Sequence, residues 1–174
     1  MKPQVIVIAG VAGCGKSTVG EMLALGIGWD FADADDYHSD EHKARMKDGT
    51  GLTDEDRGPW LARLGSLIGD ALAGGTALVL ACSALSRAHR DALRVDPGVA
   101  IFLINVPEEE IIRRLQGRTG HFFNSALVRS QFEALEMPAD EERTTVIDGN
   151  RPPEEIVEDI LCRLDLDDPP AGAP

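Results

Sequence analysis

The sequence predicts an α/β protein built on a mainly parallel sheet, and three observations carry that expectation. Continuous apolar runs at residues 4–9, 77–81 and 100–106 have the composition of strands buried on both faces. Amphipathic stretches separate them, clearest where Trp60, Leu61, Leu64, Leu67, Ile68 and Leu72 fall on one helical face. The 174 residues, 43% of them hydrophobic, suffice for one domain with its own core, and no repeat or linker divides them.

The elements follow in order. Residues 4–9 (QVIVIA) read as the first strand and residues 17–25 as the helix after it. A short strand near 30–32 leads into an acidic, His-containing segment that runs to Asp48. Thr53 reads as an N-cap, with Asp56 three residues on as the capping-box acid, and Gly74-Gly75 ends the helix begun there. Residues 77–81 (ALVLA) form a second buried strand, 86–94 a short helix, and 100–106 (AIFLINV) a third buried strand. Pro107 suits the first turn of a helix through Leu115. Residues 117–124 read as a mobile loop, 125–136 as a helix and 144–147 as a last strand, before Pro152-Pro153 opens a helix to about Leu164. One domain is expected over 1–164, with a lid at about 117–124 and a disordered, acidic and Pro-rich tail over 165–174.

Composition excludes several classes of function. A formal net charge of −13 argues against non-specific nucleic-acid binding, which needs a basic face. The three cysteines, Cys14, Cys82 and Cys162, are far apart and form no CxxC pair. Neither a disulfide scaffold nor a zinc site is expected, and a reducing interior suits the chain. No apolar run approaches a membrane span, and the first residues lack a signal-peptide cleavage region, so a cytoplasmic location is expected.

Gly10-Val11-Ala12-Gly13-Cys14-Gly15-Lys16-Ser17 matches the phosphate-loop pattern GxxxxGK[ST] in full, directly after a buried strand and at the start of a helix. Its glycines let successive N–H groups turn inward toward phosphate oxygens, and the helix N-terminus adds its positive end. Lys16 is expected to reach the β and γ phosphates of a nucleotide, Ser17 to ligate Mg²⁺, and Thr18 to bond the α phosphate. Cys14 reads as a small filler, because phosphoryl transfer needs no covalent protein intermediate. The strand over 77–81 ends in Cys82-Ser83 without a carboxylate, so the metal-organising acid must come from Asp33-Ala34-Asp35. Alternation along an extended segment would set Asp33 and Asp35 on one side. One would organise Mg²⁺ and the other take or orient the proton of an attacking hydroxyl. The basic residues cluster after strand ends: Arg57, then Arg87 and Arg90 at helical spacing, then Arg113, Arg114 and Arg118. Such clusters suit phosphates and an anionic acceptor, although Arg113 has Glu109 and Glu110 beside it as partners.

The order of these motifs resembles the small P-loop gluconokinases. The resemblance rests on residues 10–18, on Asp33-Ala-Asp35-Asp-Tyr-His38 and on Asp54-Glu-Asp56-Arg57-Gly-Pro59-Trp60-Leu61. Cys82-Ser83-Ala84-Leu85, Arg90-Asp91, Gly120-His121-Phe122-Phe123 and Gln131-Phe132-Glu133 extend it over roughly residues 4–160. It implies a nucleoside-monophosphate-kinase-like fold with a five-stranded parallel sheet, helices on both faces and a lid. It also implies a homodimer that transfers phosphate from ATP to the 6-hydroxyl of D-gluconate. Carried onto this chain, residues Gly10 to Thr18 would bind ATP, with Ser17 and Asp33 at the metal. Asp35, His38, Arg57, Arg90 and His121 would face gluconate, Arg118 would be the lid arginine, and Arg151 would border the adenine.

The chain departs from that pattern at His42 and Arg45, where Asn and Lys are usual, at Gly51 in place of Pro, and at Ser86 in place of Lys. Two other readings stand beside it. A shikimate-kinase-like or nucleotide kinase would share the phosphate loop, but the shikimate type wants a Gly-Gly turn where this chain has Cys82-Ser83. A non-catalytic ATP sensor would be expected to lack Asp35, Arg57 or Arg118, and all three are present.

Overall fold

β1 (Val5–Ala9) lies at the centre of a five-stranded parallel sheet whose order is β2-β3-β1-β4-β5. The computed structural model describes residues 2–48, 50–116 and 125–165. β2 spans Asp30–Asp33, β3 Leu78–Cys82, β4 Val99–Asn105 and β5 Thr144–Asp148. The expected strands are all present, each within two residues of its predicted limits. Around them run α1 (Lys16–Ile27), α2 (Asp40–Lys47), α3 (Asp54–Gly74), α4 (Arg87–Leu93), α5 (Glu108–Gln116), α6 (Ser125–Ala134) and α7 (Pro153–Leu164). The lid expected over 117–124, with Arg118 and His121, lies outside the described residues. So does the tail beyond Asp165.

Side chains alternate along the strands, so apolar runs feed two cores. Ile6, Ile8, Val79, Phe102 and Ile104 pack on one face against Leu23, Ile111 and Ile160 of α1, α5 and α7. Val5, Val7, Leu80, Ile101 and Leu103 pack on the other against Trp60, Leu64 and Ile68 of α3 and Leu93 of α4. Burial on both faces is what a crossover-connected parallel sheet requires. Each such side chain contributes about 1.5–3 kcal/mol of transfer free energy.

The capping box at α3 forms as its sequence predicts. Thr53 Oγ1 accepts from the Asp56 N–H, and Asp56 Oδ2 accepts from the Thr53 N–H at 2.9 Å. Gly75 then closes the helix in the left-handed region at φ 69°. The segment before Asp48 differs from expectation. It holds a 3₁₀ turn, Ala34–Tyr37, and then α2, capped by the Ser39 hydroxyl on the His42 N–H.

Strand register brings the carboxyl ends together. Ala9 of β1 lies opposite Cys82 of β3, and Asp33 of β2 lies opposite Ala81. Ligands of open parallel sheets sit beyond such ends. At the far side, the Gly149 N–H donates to the Asn105 carbonyl at 2.8 Å. A Cβ at Gly149 would overlap Val106 and come within 2.6 Å of Ile104 Cγ2 and 3.1 Å of the Asn105 oxygen. Gly149→Ala is therefore expected to destabilise the fold by about 1–3 kcal/mol, the usual cost of overpacking, read as a lowered thermal midpoint.

Candidate active site

The phosphate loop turns between β1 and α1. The Gly10 N–H donates to the Ser83 carbonyl at 3.1 Å, which ties the loop to the end of β3. Gly10 and Gly15 take φ of 146° and 99°. The first value leaves no room for a side chain, since a Cβ at Gly10 would stand 2.9 Å from the Ile104 carbonyl oxygen. Gly15 caps α1 without a side-chain hydrogen bond, so the first N–H groups of a 12-residue helix are not claimed by a capping side chain. Burial pushes the Cys14 thiol above its ordinary value despite the opposing field of Lys16, and the side chain is 2% exposed. Cys14 is thus a packed thiol, as expected.

Ser17 and Asp33 meet as the sequence predicts. The Ser17 hydroxyl donates to Asp33 Oδ2 at 2.7 Å. Asp33 Oδ1 accepts the Asp35 N–H at 3.0 Å and so caps the 3₁₀ turn. That turn, and not strand alternation, separates the two carboxylates: Asp33 is held at Ser17, whereas Asp35 lines a cleft with Lys16 and Arg57. A hydroxyl and a carboxylate side by side are hard oxygen donors. They fit Mg²⁺, which takes one or two protein oxygens and completes its shell with waters and phosphate oxygens.

The cleft measures about 660 Å³ and is bordered by Ala12 and Lys16 at one end, Asp35, His38 and Arg57 on one wall, and Gln131 of α6 on the other. Asp35 is open to solvent at this cleft, yet protein surrounds much of its carboxyl. That desolvation raises its pKa, Asp33 and Asp36 add to the rise, and Lys16 and Arg57 oppose it. Arg57 Nε donates to the Leu52 carbonyl at 3.4 Å, which leaves the two terminal nitrogens of the fork without a described partner.

The wall beneath is Trp60, 2% exposed, whose Nε1–H donates to the Ala34 carbonyl at 2.8 Å. His38 stacks on it with ring centroids 4.3 Å apart. Burial, then the field of Arg57, holds the His38 pKa down at about 4, so the ring is neutral near pH 7. The residues that depart from the resemblance also lie here. Arg45 pairs with Asp56 at 3.1 Å, His42 meets His38 edge-on, Gly51 borders the cleft, and Ser86 caps α4.

Arg90 is a correction. Its expected place at the acceptor is overturned, because the side chain is fully buried and committed elsewhere. Nε and Nη2 donate to the two oxygens of Glu142 at 2.5 and 3.0 Å, and Nη1 donates to the carbonyls of Leu85 and Ala84 at 2.7 and 3.3 Å. Ala84 takes a left-handed φ of 40°, unusual for a residue with a Cβ. Arg90 therefore holds the turn after β3 in shape, with four of its five N–H donors engaged inside the protein and the side chain closed off from the cleft. Arg87, expected to share its face, points outward to Glu141 and Asp91.

A second cleft of about 340 Å³ lies beyond the loop, bordered by Gly13, Thr18, Arg114, Gly149 and Arg151. Arg114 donates to Glu110 and to the Gly149 carbonyl, and Arg151 donates to Asp159 at 2.6 Å. Arg113 pairs with Glu110, as its neighbours predicted. Sequence reasoning assigned no role to Gln131 or Glu142.

Comparison with known proteins decides the family. A shikimate kinase family description matches residues 12–165. A gluconokinase of Gluconobacter oxydans is 37% identical over 97% of this chain and 95% of its own. The chain belongs to the gluconokinase family. A solved gluconokinase of Sinorhizobium meliloti aligns with a TM-score of 0.83 at 42% identity, over 94% of this chain and 93% of its own. A solved sugar kinase of Janibacter sp. HTCC2649 aligns with a TM-score of 0.88 at 38% identity, over 95% and 96%. Family membership accounts for the loop, the parallel sheet and the cleft together. Arg90 then reads as a member of the frame that shapes the cleft at Leu85.

Proposed function

We infer that this protein transfers the terminal phosphoryl group of ATP to the 6-hydroxyl of D-gluconate, giving 6-phospho-D-gluconate and ADP. The observation that carries the reading is the meeting of Lys16, Asp35 and Arg57 on one cleft at the mouth of a complete phosphate loop. The loop amides and Lys16 hold the phosphates and stabilise charge that grows in the transition state. Asp35 orients the attacking hydroxyl and takes its proton, a task its raised pKa favours. Arg57 offers its two terminal nitrogens to the acceptor carboxylate, the planar fork that such a group fits.

Ser17 and Asp33 would hold Mg²⁺, which, bound with ATP, supplies neutralisation of phosphate charge. Arg151 is assigned to the border of the adenine on its place beside the second cleft. Arg118 and His121, outside the described residues, keep their assignments to the transferring phosphoryl and the acceptor on the family resemblance. The same resemblance supports a homodimer, and the unpaired cysteines support a cytoplasmic setting. Among the described residues no helix is long and apolar enough to cross a membrane.

The reading is tested by ADP release measured with gluconate, glucose, shikimate and nucleoside monophosphates as acceptors. Gluconate should exceed glucose by ~10³-fold in kcat/KM if a desolvated carboxylate contact discriminates them. Comparable rates on the two would refute it. Arg57→Lys keeps the charge and loses the fork, so kcat/KM for gluconate should fall by about tenfold or more while KM for ATP stays put.

A further inference from the structure

One polar contact joins the phosphate loop to the opposite wall of the cleft. The Ala12 N–H donates to Gln131 Oε1 at 2.6 Å, across 119 residues of sequence. An N–H can be received only by the carboxamide oxygen, so the orientation of the amide is settled by this bond. Nε2 is therefore the atom that remains. It donates to no described group, and the half-buried side chain borders the same cleft as Ala12, Lys16 and Asp35.

The helix that carries Gln131 is itself held. Just past the end of α6, the Glu136 N–H donates to the Leu85 carbonyl at 3.0 Å, and its carboxylate accepts the Arg87 N–H at 2.7 Å. The carboxamide thus stands on a fixed support, with one end anchored to the loop. That NH₂ group stands beside the loop peptide, on the cleft that Lys16 and Asp35 also border.

We propose that Gln131 is a phosphoryl-binding residue of this site. Its Oε1 anchors the Ala12 peptide, and its Nε2–H donates to an oxygen of the terminal phosphate. The inference rests on the phosphoryl-transfer reading above and adds a ligand to it. It separates two functions within one side chain, and the two can be dissected. Gln131→Glu keeps an oxygen for the Ala12 N–H but replaces the donor by a negative oxygen facing phosphate. Gln131→Met removes both.

The test is calorimetric binding of ATP and of ADP to the wild type and both variants, with thermal midpoints and gluconate turnover measured in parallel. Only ATP carries the terminal phosphate. In Gln131→Glu, ATP affinity should fall by about tenfold or more while ADP affinity stays within about twofold and the thermal midpoint holds, as expected for loss of a charge-assisted hydrogen bond. Gln131→Met should show the same selectivity with a smaller loss. Unchanged ATP affinity in Gln131→Glu would overturn the proposal and leave Gln131 an anchor of the loop alone. Equal losses for ATP and ADP would overturn it as well. A wild type that binds ATP but fails to phosphorylate gluconate would refute the acceptor reading, and the ATP-to-ADP ratio would still decide the role of Gln131.

Discussion

Lys16→Ala is expected to lower kcat by ~10²-fold or more, with the protein still folded. The ammonium at the start of α1 borders the cleft where, on the proposed reading, charge shifts from the terminal phosphate toward the leaving oxygens. A group that acts on that shift is worth more in the transition state than with bound ATP, so kcat should drop further than KM rises. Its side chain carries no core packing, and the thermal midpoint should stay near that of the wild type. Steady-state rates at saturating ATP and gluconate check this, and turnover near normal would place the phosphate site elsewhere.

Breaking the pair between Arg90 and Glu142 should have the largest effect on stability. Both side chains are 2% exposed or less, and Glu142 also accepts from the Thr144 hydroxyl at 2.7 Å. Glu142→Ala leaves a buried guanidinium uncompensated, which costs about 3–5 kcal/mol. That is a large part of the 5–15 kcal/mol typical of a whole domain, so the urea midpoint should fall sharply. Replacing both partners by apolar residues should cost less than the sum of the two single changes. Acid acts on the same pair. The hydrogen bonds from Arg90 hold the Glu142 carboxyl down from its ordinary 4.5 to about 2. A carboxylate depressed on folding gives its full stabilisation above the unfolded value. The contribution is then lost as pH falls from about 4.5 through about 2. Unfolding free energies across that window should decline in the wild type and less so in the apolar double variant.

What the sequence made legible was local. The phosphate loop, the capping box of Thr53 and Asp56, and the continuous apolar strands are patterns within a few residues of each other, and the structure keeps them. The helix Asp40–Lys47 escaped because it is short and mostly polar, with only Ala44 and Met46 apolar. Only its Ser39 cap could have announced it. Arg90 was misread for a different reason. Helical spacing told correctly which residues share a turn, but the carboxylate that claims Arg90 lies 52 positions away. The contact of Gln131 with Ala12 spans more than twice that separation and has no local pattern at all. In the candidate site, residues held by the loop and the strand ends could be read from the chain. Partners delivered by tertiary packing could not.

The central place of β1 has a bearing on how the chain is made. β1 is made before either of the strands it pairs with, and those neighbours arrive late. Its β3 partner is complete only when the chain has reached Cys82, and its β4 partner only at Asn105. Closing such long loops costs entropy before any pairing rewards it. A nascent chain halted before Leu78 already contains the whole of residues 10–17, yet it has no sheet to hold the turn open around a phosphate. The loop residues are made early in the domain, and the turn they form is held in place only once β3 and β4 have followed.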